Sequence, residues 1–174
     1  MKAEGKSKNE LREWIVSAGI AIILALIIKF FLFEFVLVDG NSMYPTLNDN
    51  DRLVVAKIQY FFHEPEFGDI VILNYDKNTE FVKRVIGKAG DSIEIEDSIV
   101  YLNGDALDEP YINNEEYSEF EQVVVPTGTY FVMGDNRNHS KDSRFNDVGF
   151  VKEEDIVGKV VFRIYPFNNM GVIH

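Results

Sequence analysis

Three short stretches of this chain crowd reactive side chains into turns beside apolar runs. In the first, Asp39-Gly40-Asn41-Ser42-Met43-Tyr44-Pro45-Thr46-Leu47, Gly40 permits a tight backbone path and Pro45 stiffens the exit. A serine in such a corner can present its hydroxyl while nearby N–H groups face an incoming carbonyl. In the second, Phe81-Val82-Lys83-Arg84-Val85-Ile86-Gly87, ending in Gly90-Asp91, strand alternation puts Phe81, Lys83 and Val85 on one face and Val82, Arg84 and Ile86 on the other. A lysine flanked by Phe and Val loses hydration, which disfavours the ammonium and lowers its pKa toward the ~7–8 useful in a general base. The third, Met133 to Arg144, packs acids, bases, serines, asparagines and a histidine into one loop. There Asp142 and Arg144 can form a two-point carboxylate–guanidinium pair, and Ser140 can orient a neighbouring amine.

Each stretch alone also has a plain reading. Ser42 is then a turn serine capping a backbone group. Lys83 is a strand lysine reaching solvent or pairing with one of the abundant acids, and the third stretch is a solvated loop. Other chemistries fit less well. A Ser42–His139–Asp142 triad is conceivable, but its base and acid are three residues apart in one loop. His63 and His174 join no cluster that could hold a metal. Asp135-Asn136-Arg137-Asn138 departs from a calcium loop by carrying Arg at a ligand position. Val85 to Ser92 has glycines and a lysine, but not in phosphate-loop order. Asn138-His139-Ser140 is a glycosylation sequon, which matters only in a host that glycosylates exported chains.

The elements that must position these residues read as strands. Residues 52–58, 69–74, 79–86, 92–95, 99–102, 121–125, 129–133 and 156–165 are rich in β-branched and aromatic side chains and are bounded by Gly, Asn, Asp and Pro. Tyr75-Asp76-Lys77-Asn78 and Asn103-Gly104 read as hairpin turns. Residues 104–120 are acidic and turn-rich, an excursion from the sheet. Ahead of the strands, Ile15 to Phe33 is apolar except for Lys29, with Trp14 at one end, and reads as a membrane helix of about 20 residues. A buried core helix would show a polar face, and a cleaved signal peptide would show small residues at its cleavage site; Val38-Asp39-Gly40 is a poor one. Lys2, Lys6, Lys8 and Arg12 keep the N-terminus cytoplasmic. The expected organisation is a tail over 1–13, a transmembrane anchor over 14–33 and an all-β domain over 34–174 on the extracytoplasmic face, with a small insertion at 92–128. Tyr60-Phe61-Phe62 reads either as an aromatic cluster that dips into the lipid or as core packing.

With 174 residues, 46% hydrophobic and 26% charged, the chain is globular rather than disordered. A net charge of −12 makes it a poor partner for nucleic acid. Having no cysteine, it lacks a disulfide framework, a thiol nucleophile and cysteine-ligated metal.

In this order, and after a single anchor, the motifs resemble bacterial type I signal peptidases (leader peptidases) of the compact Gram-positive kind. Ser42 to Leu47 matches the nucleophile box, Gly68-Asp69-Ile70-Val71 the short middle box, Lys83 to Gly87 with Gly90-Asp91 the lysine box, and Gly134-Asp135-Asn136-Arg137 with Ser140, Asp142, Ser143 and Arg144 the last. The resemblance covers about residues 34–165. It implies a mostly β fold and a serine–lysine endopeptidase that cuts secretory preproteins after small residues, Ala-x-Ala, at the outer face of the cell membrane, with no cofactor and no metal. It implies that Ser42 attacks, that neutral Lys83 takes its proton and later activates the deacylating water, and that Ser140 hydrogen-bonds the lysine amine. Asp142, Arg144 and Arg84 brace the site, and the Ser42 N–H serves the oxyanion. Some relatives place a serine at the position of Gly40 as a second oxyanion donor; glycine has no hydroxyl, which leaves that donor open. Met43, Val82 and Ile86 are pocket candidates by proximity. Two other readings stand beside this one. A repressor-type serine–lysine protease would carry a DNA-binding region instead of an anchor, and a tethered β module would bind exported peptides without cutting them.

Overall fold

The structure, a computed structural model, describes residues 4–27, 32–77, 79–113 and 116–173. Helix α1 spans Glu4–Ile27. The strands are β1 (Phe33–Leu37), β2 (Arg52–Ala56), β3 (Ile70–Asn74), β4 (Glu80–Lys88), β5 (Ser92–Glu96), β6 (Ile99–Leu102), β7 (Asp105–Ala106), β8 (Phe120–Val124), β9 (Thr129–Met133), β10 (Val151–Lys152), β11 (Ile156–Tyr165) and β12 (Gly171–Val172). Among the described residues they form two sheets. The larger runs β1-β2-β11-β3-β4-β9-β10, with β12 beside β11, and the smaller runs β7-β6-β5-β8. The expected small insertion is therefore a sheet of its own.

The expected strands are all present, because each buries alternate branched side chains. β2 turns Leu53 and Val55 into a cluster with Val38, Met43, Leu47, Ile70, Ile72, Val160 and Ile173. Ile86, Ile93, Ile95, Val100, Phe131 and Met133 fill the space under the smaller sheet. β3 and β4 pair as a hairpin through residues 75–79, of which Asn78 lies outside the described residues. Asn103 and Gly104 both have positive φ, 56° and 88°, as a tight hairpin turn requires.

The N-terminal boundaries differ from expectation. The helix starts at Glu4, so most of the expected tail is helical, and it is described only to Ile27. Phe33 belongs to β1, because its backbone pairs with Ala56. Residues 28–31, including Lys29, lie outside the described residues. Among the described residues no helix is long and apolar enough to cross a membrane. From Trp14 to Ile27, α1 is free of charge. At ~1.5 Å per residue that described stretch is about 21 Å long.

The Ser42 turn is held by its own neighbours. Met43 and Leu47 are 1% and 0% exposed, and Leu47 N–H donates to Met43 O at 2.8 Å, closing one helical turn. Truncating Leu47 leaves a cavity directly under that turn. Leu47→Ala is expected to lower stability by about 3 kcal/mol, read as a shift in urea midpoint at unchanged slope.

Candidate active site

β4 carries Lys83 into the interior, where the residue is 3% exposed. Its Nζ lies 2.9 Å from Ser42 Oγ and 2.8 Å from the Val82 carbonyl. Among the described residues no carboxylate forms an ion pair with it. Burial lowers its pKa from 10.5 to about 8; Asp142 and then Asp135 oppose the shift through space. A hydroxyl facing an amine that loses its proton near pH 8 is the pairing a nucleophilic serine needs.

The acids around the dyad are already engaged. Arg84 grips Asp135 with two bonds, Nε at 2.9 Å and Nη2 at 2.8 Å, and donates Nη1 to Gly68 O at 2.8 Å. Thr46 Oγ1 donates to the same aspartate at 2.5 Å, so Asp135 ties the serine turn to the lysine strand. Asp142 accepts from Arg144 Nε and Nη2 at 2.8 and 2.9 Å and from Gly134 N–H at 3.0 Å. The expected Asp142–Arg144 pair is thus present.

The loop after β9 closes on itself and on the serine turn. Ser143 exchanges two bonds with Val132, N–H to O at 3.1 Å and Oγ from N–H at 2.9 Å. Asn136 donates its N–H to Ser42 O at 3.0 Å and its Nδ2 to Asn41 O at 2.9 Å. Gly134 sits so close to this junction that a Cβ there would overlap Ser140 Oγ and Ser42 O. Ser140 is 5% exposed, and its Oγ has no hydrogen-bond partner among the described residues, so the lysine contact implied by resemblance is not made here. His139 Nδ1 faces Asn136 Oδ1 at 3.2 Å while Asp142 is held by Arg144, so the alternative triad is not assembled. Gly40 adopts φ 94°, a region that favours glycine, and gives its N–H to Asp49 Oδ1 at 2.8 Å. That N–H is therefore engaged by Asp49.

A groove of about 140 Å³ opens beside the dyad, lined by Val36, Val38, Leu53, Ile72, Phe81 and Val82 together with Ser42 and Lys83. Of the pocket candidates, Val82 lines it. Met43 is core, and Ile86 packs under the smaller sheet. One register shift in the β4–β9 pairing, between Val85 and Gly87, separates Ile86 from the groove end of the strand.

A family model for signal peptidase, peptidase S26, matches residues 11–165. The chain belongs to this family. It is 44% identical over 180 residues to signal peptidase I T of Bacillus subtilis (strain 168), covering 97% of this chain and 93% of that one. It is 38% identical over 179 residues to signal peptidase IB of Staphylococcus aureus (strain N315), covering 92% and 93%. A crystal structure of a signal peptidase I from Enterococcus faecalis V583 is 34% identical, with a TM-score of 0.49, over 56% of this chain and 97% of that one. The S26 family is a family of serine endopeptidases, and the mostly β fold accords with membership.

Some residues that build this candidate site carry no signal in their own neighbourhood. Thr46 and Asp135 lie within the matched boxes, but their contact spans 89 residues. Glu109, Tyr111 and Tyr117 come from the acidic excursion and reach Arg84 and Arg137.

Lys83 weakens the fold it serves. Between pH 8 and 10.5 the folded chain has released a proton that the unfolded chain keeps, so stability rises with pH across that window. Below it, the cost of burying the ammonium is on the order of 3 kcal/mol. Lys83→Met is therefore expected to be more stable than the natural chain at pH 7, with an advantage that shrinks toward pH 10.5. Urea unfolding in detergent at both pH values checks this; an advantage that does not change with pH contradicts it.

Proposed function

We propose that this peptidase removes N-terminal signal peptides from exported preproteins by cutting after small residues, with Ser42 as nucleophile and Lys83 as general base. The observation that carries the reading is the 2.9 Å approach of a buried lysine amine, with no carboxylate partner among the described residues, to a serine hydroxyl beside a groove with an apolar floor of Val36, Val38, Leu53, Ile72 and Val82. Neutral Lys83 accepts the Ser42 proton as Oγ attacks the scissile carbonyl, and the ammonium then protonates the leaving amine. The same amine later activates the water that hydrolyses the acyl-enzyme. The Ser42 N–H serves the developing oxyanion. Asp142, Arg144 and Arg84 brace the dyad, and Ser140 stands beside it to orient the amine as the substrate seats.

The groove supports an extended substrate. Val36 to Asp39 line one wall and Glu80 to Lys83 the other. β1 ends the larger sheet, and β9 pairs with β4 only from Arg84 onward, so both walls offer strand edges for a peptide to join. Side chains two apart on that peptide would enter one small apolar groove, which favours alanine at both positions.

Two features support a membrane location, and Lys2, Lys6, Lys8 and Arg12 ahead of the apolar run favour a cytoplasmic N-terminus. Apolar side chains of α1 are exposed among the described residues: Trp14 is 77% exposed and Ile22 61%. The outer face of the larger sheet is also apolar, with Phe35, Val54, Phe162 and Val172 in one paired row and Leu37, Arg52 and Tyr165 in the next. Phe167, 80% exposed, packs edge-on against Tyr165. Phe62 is 76% exposed, while Tyr60 turns inward to Asp69, which splits the expected aromatic cluster. Lipid is the surrounding that suits these surfaces.

The test follows one secretory preprotein by mass, with full-length chain in detergent. A single cut after Ala-x-Ala is expected. Ser42→Ala, Lys83→Ala and Lys83→Arg should each lose at least ~10³-fold in rate, because guanidinium never becomes a neutral base. The rate should climb about tenfold per pH unit up to about 8 and then level off, as the amine loses its proton. Processing by Lys83→Arg at the natural rate would overturn the assignment, and a preprotein that binds uncut would point to a tethered binding module.

A further inference from the structure

The smaller sheet reaches into the site through one carboxylate. Glu109 lies in the acidic excursion after β7, yet its side chain is 4% exposed and that of its partner Arg137 is 1% exposed. The pair is two-pointed, Nη2 to Oε1 at 2.6 Å and Nη1 to Oε2 at 3.0 Å. Arg137 also donates Nη1 to Tyr117 Oη at 3.1 Å and Nε to Gly134 O at 3.2 Å. From the other side, Tyr111 Oη donates to Glu109 Oε1 at 2.7 Å, and its ring lies 3.9 Å from the guanidinium carbon of Arg84.

We infer that Glu109 is a positioning residue of the peptidase, holding the catalytic loop through Arg137 and the lysine strand through Tyr111 and Arg84. The inference rests on the reading of Ser42 and Lys83 as the dyad. Both arms end on groups that touch it. Gly134, held at its carbonyl by Arg137, packs against Ser42 O and Ser140. Two residues on, Asn136 N–H donates to Ser42 O. Arg84 follows Lys83 in the strand and fixes Asp135, one of the charges that set the lysine's pKa. Slackening Glu109 thus shifts both halves of the dyad, while the groove walls at β1 and at Glu80 to Val82 stay in place. The effect belongs in kcat rather than KM.

The experiment compares full-length natural chain, Glu109→Gln, Tyr117→Phe and Glu119→Gln in detergent, with one secretory preprotein and thermal melting of each. A second readout is acylation of Ser42 by an activated nitrophenyl ester, followed by mass. Glu109→Gln keeps the side-chain volume, so it is expected to fold while kcat and the acylation rate fall ~10- to 100-fold and KM stays within about twofold. Tyr117→Phe should lose less, and Glu119→Gln, on the exposed side of the same stretch, should match the natural chain. Natural kcat in Glu109→Gln, a loss confined to KM, or an equal loss in Glu119→Gln overturns the inference. If the natural chain acylates but cuts no preprotein, the substrate assignment fails and the Glu109 comparison is read from acylation alone. If it neither acylates nor cuts, both readings fall.

Discussion

Under the proposed function, the constraint on which the rest depends is a lysine that must stay unpaired in a chain with 29 Asp and Glu residues. An amine beside a carboxylate keeps its proton and is no base. The structure meets the constraint by committing the nearby acids to other cations first. Asp135 belongs to Arg84, Asp142 to Arg144 and Glu109 to Arg137. Each is a two-point guanidinium pair, a geometry that a lysine cannot reproduce. Lys83 bonds a hydroxyl and a carbonyl and faces the Phe81 ring at 5.0 Å, and burial lowers its pKa.

These pairs are not there chiefly for stability. Taking two charges out of water costs roughly what their attraction returns, whereas leaving one partner alone in the interior is severe. What they add is direction. Asp135 joins three segments, the serine turn by Thr46, the lysine strand by Arg84 and its own loop by its backbone. Asp142 fixes Gly134 N–H and Arg144 together. The close fit at Gly134, where no side chain can stand between Ser140 and Ser42 O, makes that direction consequential.

Most strands were legible because each is a short β-branched run whose alternate residues enter a core. β1 was not, since Phe33 to Leu37 follows the apolar run closely with only Glu34 to break it, and its pairing with β2 is what marks it as a strand. β10 and β12 are two residues each, too short to leave a pattern. The Ser42–Lys83 contact was legible only through the order of the motifs; neither Ser42 nor Lys83 separates from an ordinary turn serine or strand lysine by local chemistry. Glu109 was illegible for another reason. In the sequence it is one acid among many, and its partner is 28 residues away across two sheets. Burial of a charge is a tertiary fact.

The two apolar features at the N-terminal side then acquire a common logic under the proposed function. A signal peptide is apolar, and its cut site is short and extended. β1 presents both kinds of surface: Phe33 and Phe35 are exposed on the outer face, while Val36 and, at the strand's end, Leu37 line the groove. The two-residue alternation of a strand makes this possible, since one face can meet lipid while the other meets the substrate. A helix in this place would spread its side chains around its axis and offer no free backbone edge. The chain must therefore leave the helical state soon after its apolar run, and β1 begins six residues past the last described residue of α1.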